Sequence, residues 1–62
     1  MILEDTIRAI LREKGQPMPF SILALDVMAK LPEMTFYDCH DALNDMLQEQ
    51  TVKITEEGKY TI

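Results

Sequence analysis

"LPEMTFYDCHDALNDML", Leu31 to Leu47, is the stretch whose reading decides the fold. Pro32 ends any helix that reaches it, because its ring fixes φ and removes a backbone donor. Thr35 then opens a new helix. Its hydroxyl can accept from the amide three residues on while the Asp38 carboxylate reaches back, a T-x-x-D capping pair. Met34, just before the cap, is placed to staple onto Cys39. Phe36, Cys39, Leu43, Met46 and Leu47 then fall at helical spacing and predict a buried stripe. Tyr37, Asp38, Asp41, Asn44, Asp45 and Gln48 form the opposite, solvated face. Only "PEM" and the cap separate this helix from the one before it.

Upstream, "SILALDVMAKL", Ser21 to Leu31, supplies that preceding helix. Ser21 is a natural N-cap. At roughly 100° per residue, Leu23, Val27 and Leu31 share one side, with Ala24 and Met28 alongside. Ile22 and Leu25 fall off that stripe. "QPMPF", Gln16 to Phe20, must run extended, because each proline fixes φ and biases its predecessor away from helix. It can contribute a short strand near Met18–Phe20, with Phe20 as a core anchor. Before it, Leu3, Ile7, Ile10 and Leu11 mark a first helix over Ile2–Lys14. Glu4 and Asp5 suit the positive end of its dipole, and Arg12 and Lys14 the negative end. Gly15 can adopt the left-handed conformation that terminates a helix, and Pro17 prevents resumption.

Downstream, the period changes from helical to two. In "TVKITEEGKYTI", Thr51 to Ile62, Val52 and Ile54 alternate with Thr51, Lys53 and Thr55. Tyr60 and Ile62 then alternate with Lys59 and Thr61. "EEG" between the two runs predicts a three-residue hairpin loop with Gly58 at the positive-φ position. The expected architecture is mainly α with a C-terminal β-hairpin, in the order α-α-α-β-β, as one domain over residues 1–62.

Composition narrows the classes. At 62 residues the chain is one small domain, near the size where a single core barely suffices. It is 47% hydrophobic with five Met, enough for a compact core without metals or bridges. Cys39 is the only cysteine, so no intrachain disulfide can form, which fits a reducing cytosol. Glu4, Asp5 and Arg8 break any signal-peptide core, and no apolar run approaches the ~20 residues of a membrane span. A soluble, cytoplasmic chain with no membrane partner is expected.

The net charge of −5 is unevenly placed. Residues 1–20 balance Glu4, Asp5 and Glu13 against Arg8, Arg12 and Lys14. Residues 21–34 set Asp26 and Glu33 against Lys30. Residues 35–50 hold Asp38, Asp41, Asp45 and Glu49 with no base, a net −4. Residues 51–62 balance Lys53 and Lys59 against Glu56 and Glu57. Nucleic-acid affinity comes from clustered Lys and Arg, and no such cluster exists here.

Helix, extended segment, helix, short turn, helix and hairpin is the order of a winged helix-turn-helix, with the hairpin as wing. The likeness covers the whole chain, but that fold serves many functions. Within it, "LREKGQPMPFSILALDVMAKL", residues 11–31, resembles the HARE-HTH group, which includes the N-terminal domain of the bacterial RNA polymerase delta subunit. Gln16, Pro17, Pro19, Phe20 and Leu23 match that group's "kP-pF-ELl--I" run, with Met18 as the apolar residue between the prolines. Ile22 stands where the group commonly has an acid, and residues 51–62 do not resemble the acidic tail of the delta subunit. The resemblance implies a protein-interaction module in transcription or chromatin.

The candidate sites follow. The acidic helix face, Tyr37, Asp38, Asp41, Asn44, Asp45 and Gln48, is either a solvated face or a surface for a basic protein partner. Tyr37, Asn44 and Gln48 could read base edges, but three aspartates would then approach phosphates. At an effective dielectric of about 20, two charges about 4 Å apart interact by roughly 4 kcal/mol, here repulsively. The wing residues Lys53 and Lys59 offset this only partly, with Glu56 and Glu57 between them. Met18, Ile22 and Leu25 are a candidate apolar contact patch, or ordinary surface hydrophobes. Cys39 and His40 are adjacent and point about 100° apart on a helix, so no metal site is expected. Cys39 reads as a packing residue and His40 as a boundary residue bonding locally. No catalytic constellation or phosphate loop is visible, so neither an enzyme nor a cofactor is expected. The sequence thus reads as a small acidic module binding a protein with a basic surface in transcription or its regulation, RNA polymerase being a candidate. The alternatives are a DNA-binding regulator acting as a homodimer, and an acidic mimic of nucleic acid occupying a basic site on a protein.

Overall fold

The computed structural model describes residues 2–62. Helix α1 spans Ile2–Lys14, strand β1 Met18–Pro19, α2 Phe20–Lys30, α3 Phe36–Gln48, β2 Lys53–Ile54 and β3 Lys59–Thr61. The protein is mostly helical with a C-terminal hairpin, a layout compatible with a winged helix. Among the described residues, no helix is long and apolar enough to cross a membrane.

In α1 the expected stripe is the buried one: Leu3, Ile7, Ile10 and Leu11 all enter the core. Gly15 ends the helix at φ 68°, and its N–H donates to the Leu11 carbonyl at 3.1 Å. Lys14 Nζ lies 3.8 Å from the Asp26 carboxylate, linking the end of α1 to α2.

Helix α2 starts one residue before the expected Ser21 cap. Pro19 occupies the N-cap position at φ −64° and ψ 152°, with no side-chain bond, and Ser21 is exposed within the first turn. The reason is the sheet. Pro19 pairs with Lys59 and Met18 with Tyr60, so the strand passes directly into the helix. The extra strand is therefore present but stops at Pro19, and Phe20 belongs to α2. Leu23, Ala24 and Val27 are buried, and Leu31 caps the end before Pro32 through its N–H to the Val27 carbonyl at 2.8 Å.

Both halves of the α3 capping box form. The Asp38 N–H donates to Thr35 Oγ1 at 3.2 Å, and the Thr35 N–H to Asp38 Oδ2 at 2.9 Å. Met34 packs against the core cluster that contains Cys39. Cys39, Leu43 and Met46 are buried as the spacing predicts, and Leu47 is half-buried. Phe36 is not: it is 46% exposed, and Ala42 joins the buried side instead. On a turn of about 100° per residue the buried arc centres near Cys39, which leaves Phe36 at its margin. The helix ends in a Schellman motif with a non-glycine residue. Gln50 sits at φ 64°, its N–H donates to Leu47 at 3.2 Å, and the Thr51 N–H donates to Met46 at 2.9 Å.

The hairpin loop is the expected one. The Thr55 N–H donates to Lys59 at 2.8 Å, the Gly58 N–H to Thr55 at 2.9 Å, and Gly58 takes φ 81°. Strand β3 is central, in the order β1-β3-β2, with Tyr60 opposite both Met18 and Ile54. Val52 and Tyr60 are buried, whereas Ile54 is exposed, since β2 lies at the sheet's open edge, and Ile62, beyond the end of β3, is exposed too.

Candidate functional site

The outward surface of α3 is two half-faces. Residues 38, 41 and 45 turn toward α1, while residues 36, 40 and 44 turn toward the start of α2 and the sheet, as a rotation of about 100° per residue requires. Tyr37, 83% exposed, stands at the N-terminal end between them, and Gln48 is exposed at the other end. The three aspartates of the face expected from the sequence thus stand together, on the α1 side.

On the α1 side lies a shallow, open groove of about 620 Å³. Its apolar floor is Ile2, Leu3, Met34 and Ala42. Its rim is Glu4, Glu33, Asp38, Asp41 and Asp45. The first turn of α1 contributes Ile2 to Glu4, and the α2–α3 turn contributes Glu33 and Met34. Sequence reasoning assigned no site role to Ile2, Glu4 or Glu33. The available signal was Ile2, an apolar residue beside the α1 stripe in an acidic first turn. Among the described residues, no Lys or Arg pairs with Glu4, Glu33, Asp41 or Asp45: Arg8 pairs with Asp5, Lys14 with Asp26 and Lys59 with Glu57. Glu4 and Asp38 sit in the first turns of their helices, where the dipole offsets part of their charge. Asp41 and Asp45 lie beyond that reach, so the uncompensated negative charge is strongest at their end of the groove.

The other half-face carries aromatics. The Phe20 ring centre is 6.3 Å from Phe36, 6.0 Å from His40 in an edge-on arrangement, and 6.4 Å from Tyr60. His40 Nδ1 is 3.4 Å from Asn44 Nδ2, the local contact expected of it. Cys39 is buried beneath, and its thiol pKa is raised, first by burial and then by the Asp38 charge. That environment suits a packing residue and disfavours a thiolate nucleophile.

Met18, Ile22 and Leu25 do not form the one apolar surface expected from the sequence. Ile22 and Leu25 are exposed on α2, but Met18 is only 4% exposed, because its pairing opposite Tyr60 turns it into the core. In the wing, Lys53, Glu56 and Glu57 are exposed, while Lys59 is half-buried with Nζ 3.8 Å from Glu57. One wing lysine is therefore already engaged by an acid of the loop tip.

Three helices, a small antiparallel sheet and a one-signed groove define the class of object. Among known proteins, no family model matches the chain, and no solved structure matches it. Over 59 residues, 95% of the chain, it is 29% identical to Ribonuclease R of Ureaplasma parvum serovar 3 (strain ATCC 700970). The chain spans 8% of the length of that relative.

Proposed function

We propose that this chain is a non-enzymatic winged-helix module that binds a protein partner with a basic surface, in transcription or RNA handling. The observation that carries this reading is the row Asp38, Asp41 and Asp45 on a helix with no Lys or Arg, beside an apolar groove. A polyanion approaching α3 meets charge of its own sign, whereas a basic protein surface is attracted. The HARE-HTH resemblance at residues 11–31 supports a role at a protein interface, with RNA polymerase as one candidate. The similarity to Ribonuclease R supports a setting among proteins that handle RNA. Because the matched stretch is so small a part of that enzyme, it lends no catalytic activity to this chain.

A second reading is nucleic-acid binding through the non-acidic half-face. Exposed Tyr37 and Phe36 offer rings on which bases can stack, and His40, Asn44 and Lys53 offer polar contacts. Amide NMR shifts recorded at low salt, while adding a random DNA duplex or a single-stranded RNA, separate the two. The protein-binding reading expects no movement at large excess. Salt-reversible shifts at Tyr37, His40, Asn44 and Lys53 overturn it.

A further inference from the structure

We infer that the groove between α1 and α3 receives a short basic segment of a partner protein, one that places an apolar residue between lysines or arginines. This rests on the protein-binding reading and names its site and ligand chemistry. The floor is apolar and open: Ile2 is 73% exposed there, beside Leu3 and Ala42. One exposed isoleucine is ordinary on a protein surface. Set in a concavity with other apolar side chains, it is a contact that burial would improve.

The rim decides the occupant. Among the described residues every charged side chain on it is acidic, and neither Asp41 nor Asp45 is paired with a lysine or arginine. Nucleic acid and anionic lipid are repelled. A second copy of the chain fits poorly, because it carries the same −5 and three of its bases are held by its own acids. A small apolar molecule would be left largely in water, since the groove is shallow. A segment lying across it, apolar toward the floor and cationic toward the rim, satisfies both surfaces. The apolar contact fixes position, and the charges steer approach and select against acidic partners.

The test uses the full chain and a synthetic amphipathic peptide with two leucines one helical turn apart among lysines. A control peptide has both leucines replaced by serine. Binding is followed by fluorescence anisotropy, and the site by amide shifts. The leucine peptide is expected to move the Leu3, Asp41, Ala42 and Asp45 amides. Losing the apolar anchors should weaken binding by about tenfold or more. Ile2→Ser, at a position too exposed to matter for folding, should weaken it by about fivefold. Asp41→Asn with Asp45→Asn should weaken it roughly two- to tenfold at low salt, and less at high salt. Equal binding of the two peptides, insensitivity to Ile2→Ser, shifts confined to other surfaces, or no binding each overturns the inference. These results differ from the failure of the parent reading, which shows as salt-reversible shifts with DNA or RNA.

Discussion

Replacing Asp45 by lysine tests whether the acidic row of α3 is kept at the expense of the fold. Asp45 opens the last turn of α3, a turn with no basic residue, where the negative end of the helix dipole favours a cation. It also stands one turn from Asp41, and like charges at that spacing cost about 0.2–0.5 kcal/mol. Asp45→Lys removes that repulsion and puts an acid–base pair in its place, N-terminal acid first, worth about 0.2–0.5 kcal/mol. The dipole adds about 0.3–1 kcal/mol. The side chain is exposed, so no packing is lost. A combined gain of about 1 kcal/mol raises Tm by about 4–8 °C in a domain of this size. Thermal circular dichroism at low ionic strength reads this directly. Repeated at about 1 M salt, where the Debye length is about 3 Å, most of the gain should vanish. An unchanged or lower Tm at low salt, or a gain that survives salt, refutes the reasoning. In either case the acidic row would not be an electrostatic burden on the helix.

Thr35→Ala removes the hydroxyl half of the α3 capping box and should cost about 1 kcal/mol; Thr35→Asn should recover most of it in urea unfolding. Gln50→Gly relieves a left-handed conformation that costs a non-glycine residue about 1–2 kcal/mol, partly offset by glycine's greater freedom when unfolded. The urea midpoint should rise with an unchanged slope, and a fall would mean that the Gln50 side chain contributes contacts of its own. The raised thiol pKa of Cys39 means the native state keeps a proton that the unfolded chain releases. Its contribution to stability is complete below 9.0, the ordinary thiol value, and is lost as pH rises through the higher native one. Urea midpoints measured from about pH 8 to about pH 10 should fall more steeply for the wild type than for Cys39→Ala.

The helices were legible because each carries its own local chemistry. Gly15, Pro32 and the Thr35–Asp38 pair act within a few residues, so spacing alone locates the boundaries they set. What was not legible depends on contacts distant in sequence. Pro19 rather than Ser21 begins α2, because Pro19 is tied to Lys59, forty residues on. Met18 is buried for the same reason, and Ile54 is left exposed because β3, not β2, occupies the middle of the sheet. The αL residue at the end of α3 carries no sequence signal because it is Gln50 and not glycine. The candidate site was half legible. Asp38, Asp41 and Asp45 stand out as a run without bases, but their placement toward α1 follows from which side of α3 packs there. Ile2, Glu4 and Glu33 join them only through that packing.

The division of α3 makes the two functional readings respond with opposite sign to one substitution. A helix with its side chains is only about 10–12 Å across, and the Debye length at physiological salt is about 8 Å. A nucleic acid seated on Phe36, His40 and Asn44 would therefore still feel Asp41 and Asp45 across the helix. Asp45→Lys would strengthen its binding by removing a repulsive charge and adding an attractive one. A basic segment in the α1–α3 groove meets the same change at the rim and is weakened. Loss of stability cannot produce this pattern, since the variant is expected to be more stable than the wild type and unfolding would weaken both ligands. The sign of the change, read in a folded protein, therefore assigns function to one half of α3 or the other. Weaker binding of the leucine–lysine peptide together with unchanged indifference to RNA places it on the α1 side. Strengthened binding of an RNA that the wild type already binds places it on the side of the sheet.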